Sequence, residues 1–229
     1  MTGVLAIVPA LDEADTIAEV VRSAAAHVDS VVVIDDGSTD GTADLAREAG
    51  ASCVSHERNL GVGAAIATGL RHALDLGADA AVQVDGDGQH VASSIPVLLA
   101  ALHSGADLVV GTRFEQGFEM SFVRRTALRF FSAAVSRHVG HHVSDPTSGF
   151  RAFGPKAMEK LAPIFPTAYL ADTIEVLYLA AESGLIVRTV PVDMIARSGG
   201  RPYAGPTKSV VYAARMLLLT IKHFRLRPR

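Results

Sequence analysis

Residues 80–89 read AAVQVDGDGQ, an apolar run that ends in two aspartates separated by a glycine. An apolar run of this length, bounded by turn residues, is typical of a buried β-strand. Residues with helical spacing follow over Ile95–His103, and the same alternation of short apolar run and helical segment begins near the N-terminus. This rhythm predicts an α/β fold with a mostly parallel sheet flanked by helices.

The same patterns give the bounds of the other elements. Further strands are predicted at Val4–Val8, Val31–Ile34, Ser52–Ser55, Leu108–Val110 and Ile186–Val190, the fourth strand being Ala80–Val84 and Pro9 closing the first. Further helices are predicted from Ile17 to Ala24, at Thr42–Glu48, Gly63–Leu76, Arg124–Val139, Pro155–Leu161 and Asp172–Ser183, with Asp12 or Asp15 as the N-cap of the first. Residues 114–121 and the glycine-rich stretch 197–206 are predicted to be loops.

Composition limits the class of protein. A chain of 229 residues is long enough for one large α/β domain, and its formal charge of −3 gives no indication of nucleic-acid binding. The single cysteine, Cys53, excludes an internal disulfide and favours a cytoplasmic location. No basic region precedes the first apolar run, so a signal peptide is not expected, and no run approaches the roughly 20 apolar residues that span a bilayer.

Acidic residues follow three of the first four predicted strands. Asp12 and Glu13 follow the first, Asp35 and Asp36 the second, and the third such group begins at Asp85. Parallel strands end at the same edge of a sheet, where ligands of open α/β sheets bind. Carboxylates grouped in this way repel one another unless a cation or a donor-rich ligand lies between them.

The triplet Asp85-Gly86-Asp87 is the sharpest of these signals. Carboxylates at i and i+2 past a strand can turn towards one site, Gly86 permits a tight turn, and Gln89 adds a neutral oxygen. Oxygen ligands of this kind suit Mg²⁺ or Mn²⁺ with open positions for diphosphate oxygens. The alternative is a solvated acidic turn. Likewise, Asp35 could bind a nucleobase or ribose, or the Asp35-Asp36 pair could only form an Asx-type turn.

Taken together, these residues resemble the family 2 glycosyltransferases, in the branch of dolichol-phosphate mannose synthases and bacterial polyprenyl-phosphate sugar transferases. The matching motifs occur in the family's order and extend to about Arg201. They are the stretches 7–13 (IVPALDE), 34–42 (IDDGSTDGT), 59–61 (NLG), 85–90 (DGDGQH), 111–113 (GTR) and 144–153 (SDPTSGFRAF).

The resemblance implies a GT-A fold and inverting transfer of a hexose from a nucleotide diphosphate sugar, of the GDP-mannose or UDP-glucose type. It implies that Pro9, Ala10, Glu13 and Asp35 hold the nucleoside, close to Asp85 and Gly86. Asp85, Asp87 and Gln89 would surround the metal, with Asp87 the surest ligand. Arg113 would lie near the phosphates, and Arg197 or Arg201 together with Lys208 would form the basic pair of a late loop. This loop is longer here than is usual in the family, which leaves the choice between Arg197 and Arg201 open.

Two acceptors are compatible with the sequence. A polyprenyl phosphate is already anionic and needs no general base, whereas a sugar or glycolipid hydroxyl needs a carboxylate to take its proton. Asp172 lies where members of the family carry acidic residues facing the acceptor, and its other interpretation is a helix N-cap. Asp145 and the pair Ser148-Gly149 would either shape the acceptor site or form a plain turn.

The C-terminal stretch 207–229 is predicted to be a basic amphipathic helix appended to a catalytic domain over 1–206. It mixes apolar residues with Arg215, Lys222 and a basic tail, the composition of a helix that lies in a membrane interface. A peripheral position on the inner face of the cell membrane would suit a lipid-phosphate acceptor. The alternative is a helix packed on the domain or on a second subunit.

Two other classes of protein fit the sequence less well. A sugar nucleotidyltransferase would carry glycine and basic residues in its first loop, and residues 9–13 have neither. A non-catalytic nucleotide- or partner-binding domain would not require the grouped carboxylates. The sequence does not name the base, the sugar or the oligomeric state.

Overall fold

The structure is a computed structural model that describes residues 3–113, 122–167, 173–195 and 218–223. Its strands are β1 (Val4–Ala10), β2 (Ser30–Asp35), β3 (Ser52–Ser55), β4 (Ala80–Gln83), β5 (Leu108–Arg113), β6 (Arg151–Phe153) and β7 (Val187–Val192). Its α-helices are α1 (Ile17–Ala25), α2 (Thr42–Glu48), α3 (Val62–Asp75), α4 (Ile95–His103), α5 (Phe122–Val139), α6 (Pro155–Leu161) and α7 (Glu175–Glu182). A 3₁₀ turn covers Ala92–Ser94, and residues 218–223 are helical.

The described strands form one sheet in the order β3-β2-β1-β4-β6-β5-β7. β6 runs antiparallel to its neighbours β4 and β5, and the other pairings are parallel. All strands except β6 therefore end at one edge of the sheet. The chain winds outward from β1 through β2 to β3, whereas β4 lies on the other side of β1. The crevice between β1 and β4 is thus the switch point at which open α/β sheets bind ligands.

Both faces of the sheet are covered, because the strand residues are apolar on both sides. In β1, Leu5 and Ile7 pack on one side with α3, α5, α6 and α7, whereas Ala6 and Val8 pack on the other with α1, α2 and α4. This continuous run of buried apolar residues is typical of a strand in the middle of a parallel sheet. The α/β class and the mostly parallel sheet predicted from the sequence are confirmed.

The main departures from the predicted elements lie near the candidate site. β1 continues through Pro9 to Ala10. Its pairing with β4 ends at Ile7, so the N–H that proline lacks is not needed for a hydrogen bond to β4. The N-cap of α1 is Thr16, so the expectation of Asp12 or Asp15 was wrong. The three-residue strand β6, which the sequence patterns did not indicate, separates β4 from β5.

Candidate active site

The loops that follow β1 and β2 are joined by hydrogen bonds. The Asp12 N–H donates to Ser38 Oγ at 3.0 Å, and Asp12 Oδ1 accepts the Thr39 N–H at 2.8 Å. Asp12 has a φ of 53°, which is unusual outside glycine. The two hydrogen bonds offset the energetic cost of this backbone conformation. Asp12 therefore holds the two loops together.

A second set of bonds continues this join. The Glu13 N–H donates to Thr42 Oγ1 at 2.9 Å, and the Ala14 N–H donates to Asp40 Oδ2 at 3.0 Å. Partial burial opposes ionisation of Asp40, but hydrogen bonds from Thr42 and Ala14 outweigh it and lower the pKa of that carboxyl below its usual 3.8. The fold thus supports the main chain of the first loop, which leads away from Pro9 and Ala10 at the end of β1.

Asp35 and Asp36 are both buried and have different surroundings. Asp36 accepts His56 Nδ1 at 2.7 Å, the Leu60 N–H at 2.9 Å and the Gly61 N–H at 2.7 Å. It therefore ties the entrance of α3 to the end of β2, and Gly61 is the N-cap of that helix with a φ of 95°. Asp35 Oδ1 accepts the Ser38 N–H at 2.9 Å, and its Oδ2 has no hydrogen bond to the described part of the chain. Of the two, Asp35 keeps the capacity to bind a ligand.

The turn after β4 packs directly against the end of β1. A Cβ placed on Gly86 would lie 3.1 Å from the Pro9 carbonyl oxygen, so only a residue with little or no side chain fits comfortably. Thr16 Oγ1 donates to the Gly86 carbonyl at 2.7 Å and holds the turn in place. Asp87 Oδ1 accepts the Gln89 N–H at 3.1 Å, and Asp87 Oδ2 accepts the Gln89 side-chain amide at 2.5 Å. Gly86 thus allows close approach of the β1 backbone to the turn.

Asp85 lies in a cradle made by Gln83 at the end of β4, His90 in the turn that follows and Gly149 just before β6. Its Oδ1 accepts Gln83 Nε2 at 3.2 Å, and His90 Nε2 lies 3.5 Å from its Oδ2. The backbone of Gly149 covers the carboxylate so closely that a Cβ there would lie 2.9 Å from Oδ2 and 3.1 Å from Oδ1. The sequence did not single out Gln83, His90 or Gly149 for a role at this carboxylate, and only their contacts in the fold reveal it.

The turn before β6 lies at the same edge. Asp145 Oδ1 accepts both the N–H and the hydroxyl of Thr147, at 3.0 and 2.6 Å, which is the arrangement of a plain turn. Arg151 is buried and donates through Nη2 to the carbonyls of Pro146 at 3.4 Å and Thr173 at 2.6 Å. It joins this turn to the segment that begins at residue 173.

Several residues predicted for the site cannot be placed in it. Asp172, Arg197, Arg201 and Lys208 lie outside the described residues. Arg113 ends β5 opposite Val192, at the edge where the acidic turns lie, but its side chain is also outside the described part. Their predicted roles remain predictions.

The C-terminal helical stretch packs on α5 and α7 through its polar residues. His223 is buried, its Nδ1 lies 2.6 Å from Glu182 Oε1, and its ring stacks on Tyr178 at 4.8 Å. The Tyr178 hydroxyl, whose pKa is raised by burial, donates to Thr220 Oγ1 at 3.2 Å.

Two apolar residues of this stretch face outward, since Leu218 is 67% and Ile221 41% exposed, whereas Leu219 is half-buried. Among the described residues, no helix is both long and apolar enough to cross a membrane.

Comparison with known proteins identifies the family. The family model described as glycosyl transferase family 2 matches residues 5–162. The chain belongs to this family. The protein is therefore a glycosyltransferase, and it has the GT-A fold.

Relatives and solved structures agree with this assignment. The chain is 30% identical over 211 residues to the UDP-N-acetylglucosamine–dolichyl-phosphate N-acetylglucosaminyltransferase of Methanococcus voltae, covering 82% of this chain and 84% of the relative. It is 32% identical over 181 residues to the polyprenol monophosphomannose synthase of Mycolicibacterium smegmatis, covering 74% of this chain and 68% of the relative. The fold matches glucosyl-3-phosphoglycerate synthase from Mycobacterium tuberculosis, solved with Mn²⁺, uridine diphosphate and phosphoglyceric acid. That match has a TM-score of 0.73 and 22% identity, and it covers 99% of this chain and 80% of the other.

Proposed function

We propose that this enzyme transfers a hexose from a nucleotide diphosphate sugar to the phosphate of a polyprenyl phosphate. One observation carries the proposal: the Asp85–Gln89 turn packs against the end of β1 at the switch point, with Asp35 at the end of the next strand. The names of the relatives support the acceptor, since both act on a long-chain isoprenoid phosphate. Donors of the GDP-mannose and UDP-glucose types are the candidates, and the Methanococcus relative adds UDP-N-acetylglucosamine.

The nucleoside is proposed to bind along the ends of β1 and β2. Pro9 and Ala10 end β1, and Glu13 follows in a loop whose main chain is held by Thr42. Asp35 Oδ2, which has no hydrogen bond to the described part of the chain, is available to a ribose or base donor group. Asp36 is assigned a structural role instead, because three groups of this chain donate to it.

Mg²⁺ or Mn²⁺ is proposed to bind at the turn after β4, through Asp87 with Asp85 and Gln89. The described residues contain no group of three His, Cys, Asp or Glu side chains arranged to hold a metal ion. Two carboxylates fit this proposal, because Mg²⁺ is usually held by one or two carboxylates with substrate phosphates and water completing its shell. Gln89 lies in hydrogen-bond contact with Asp87, so its amide is next to any ion bound there. When bound, the cation would neutralise charge that develops on the leaving diphosphate.

The chemistry then needs little from the protein besides positioning and positive charge. A phosphate oxygen of the acceptor forms the new bond to the anomeric carbon on the face opposite the leaving group. The bond from that carbon to the diphosphate breaks, and the nucleoside diphosphate leaves with the electron pair. We assign Arg113, Lys208 and Arg201 to the phosphates, where fixed positive charge would stabilise the transition state.

The alternative acceptor is a sugar or glycolipid hydroxyl, for which Asp172 would be the base. A transfer assay with the full chain separates the two, using Mn²⁺, each candidate donor, and either polyprenyl phosphate or a glycolipid as acceptor. The proposal predicts a lipid-linked hexose product that Asp172→Asn still forms at a similar rate. If the glycolipid is the acceptor and Asp172→Asn lowers the rate about 10²–10⁴-fold, as expected on loss of a general base, the proposal is wrong.

Membrane contact through 208–229 is the second part of the proposal. In the described stretch of this segment, polar Thr220 and His223 are buried and Leu219 is half-buried, whereas Leu218 and Ile221 face outward, which leaves two apolar side chains for a membrane interface. Lys222 is exposed beside them and forms an ion pair with Glu175, its Nζ lying 3.3 Å from Glu175 Oε1. We place the enzyme on the cytoplasmic face, because a lone Cys53 suits a reducing compartment.

A further inference from the structure

His90 is buried beneath the acidic turn and contacts Asp85 in two ways. Its side chain is 4% exposed, and its Nδ1 accepts the Asp85 main-chain N–H at 3.0 Å. A nitrogen that accepts a hydrogen bond carries no proton, so the neutral ring is protonated at Nε2. That Nε2 lies 3.5 Å from Asp85 Oδ2, close to the carboxylate it faces. One imidazole therefore constrains both the backbone and the side chain of Asp85.

The ring is itself held by a second segment. It stacks on Phe150 with 4.7 Å between ring centroids and 11° between planes, and Phe150 is fully buried. Phe150 follows Gly149, whose backbone covers the Asp85 carboxylate from the turn before β6. His90 thus fills the space between the acidic turn and the entry to β6, and it cannot shift without moving Phe150.

A third segment, the residues that follow β7, contacts the main chain of Gln89 and His90. His90 pairs with Met194 in an isolated antiparallel bridge, and the Ile195 N–H donates to the Gln89 carbonyl at 3.0 Å. Nearby, the Asp193 N–H donates to Ser94 Oγ at 3.3 Å. The acidic turn is therefore fastened to the segment that follows β7 and continues towards Arg197 and Arg201.

We propose that His90 is a positioning residue that holds Asp85 in the orientation required for metal-dependent donor binding. The inference rests on the proposed function of the acidic turn. Its physical basis is that a site must hold its ligands to within about 0.5 Å, which requires a locked supporting layer behind them. The Nδ1 acceptor fixes the Asp85 backbone, the Phe150 stack fixes the ring, and the Met194 bridge fixes the main chain of His90.

Two variants separate the hydrogen bond from the packing. His90→Phe keeps an aromatic ring against Phe150 but leaves the Asp85 N–H without the acceptor that it has in His90. His90→Asn offers an amide oxygen near the position of Nδ1 but loses the stack. Mn²⁺ binding in the presence of UDP or GDP is followed by the loss of the free Mn²⁺ electron paramagnetic resonance signal, which does not depend on turnover. We expect about a tenfold weaker Mn²⁺ affinity for His90→Phe, the lower end of the roughly 10–100-fold loss that follows replacement of a residue supporting a metal ligand, and a smaller loss for His90→Asn.

The donor and acceptor Michaelis constants give a readout that a general loss of stability would not produce. We expect KM for the donor to rise in His90→Phe while KM for the acceptor stays at the wild-type value. Asp87→Ala in the same titration distinguishes the two ways of failing. If Asp87→Ala binds Mn²⁺ and nucleotide like the wild type, the proposed donor site itself is wrong. If Asp87→Ala loses binding but folded His90→Phe does not, the role of His90 is wrong. Should His90→Phe not fold, His90→Leu carries the same expectation and is judged in the same way.

Discussion

Replacing Gly149 with alanine should displace the Asp85 carboxylate while every charged residue of the chain is kept. The new Cβ would lie 2.9 Å from Asp85 Oδ2, and ordinary van der Waals contact begins at 3.4 Å. The backbone of Gly149 is held in place, because its turn leads directly into β6. The Asp85 carboxylate must therefore move away by about 0.5 Å. The new Cβ would also lie 3.1 Å from Gln83 Nε2, the donor to Asp85 Oδ1, so the substitution disturbs that hydrogen bond as well.

The expected loss follows from this displacement. A misplacement of 1 Å can cost about 10²-fold, so 0.5 Å should cost about tenfold, which is about 1.4 kcal/mol. We expect about tenfold weaker binding of the nucleoside diphosphate in the presence of Mn²⁺, measured by isothermal titration calorimetry. Binding of the nucleotide without metal should change much less.

Gly154→Ala is the matched control. Gly154 lies beyond the other end of β6, its φ is −77°, and a Cβ there would find the Asp107 carbonyl at 3.4 Å, which is ordinary contact. The control weakens a helix cap, at a cost of about 1 kcal/mol or less, but should bind donor like the wild type. Wild-type affinity in a folded Gly149→Ala protein would refute the assignment of Asp85 to the donor site. An equal loss in both variants would show that the effect is not specific to Asp85.

Three further predictions concern the loops and the C-terminal stretch. Asp36→Asn should lower the free energy of unfolding by about 3 kcal/mol, or the melting temperature by about 6–12 °C, because three donors share this buried carboxylate. The control is Asp44→Asn in an exposed ion pair, which should cost about 0.5 kcal/mol or less in the same calorimetric scan. The folded-state pKa of Asp40 is lowered, so its contribution to stability is present above its unfolded value near 3.8 and is lost as pH falls through the folded value. The difference in unfolding free energy between wild type and Asp40→Asn should therefore be full at pH 7 and shrink below about pH 4, and a pH-independent difference would contradict this. Leu218 and Ile221 together expose about as much as one whole side chain, so replacing both with serine should weaken binding to anionic vesicles about 30-fold, or about 2 kcal/mol, in a sedimentation assay. Ile164→Ser, at another exposed apolar position, should leave vesicle binding unchanged.

Much of the fold could be predicted because its signals are local. The bounds of Thr42–Glu48, Ser52–Ser55 and Ile95–His103 agree with the structure to the residue. The strand β6 could not be predicted in this way, since it has only three residues and begins with a charged arginine that is buried by long-range contacts. Pro9 was expected to end β1, but whether proline interrupts a strand depends on which neighbour needs its N–H, and that is a property of the sheet.

The candidate site divides in the same way. Periodicity and strand direction predict that the acidic turns share one edge, and the sheet order agrees. They do not reveal which carboxylates are occupied by the protein's own donors. Asp12 and Asp36 are committed to holding loops, whereas Asp35 Oδ2 has no hydrogen bond to the described part of the chain. The support given by His90 and Gly149 arises from contacts between residues far apart in the chain, which spacing alone does not encode.

The proposed donor site requires metal-dependent nucleotide binding at Asp87. A thermal-shift measurement would compare the wild type and Asp87→Ala with UDP, GDP and their sugars, each with and without Mn²⁺. We predict that one nucleotide family stabilises the wild type only when Mn²⁺ is present, and that Asp87→Ala loses this stabilisation while its melting temperature without ligand stays near that of the wild type. Equal stabilisation of both proteins, or none in a well-folded wild type, would contradict a donor site at this turn.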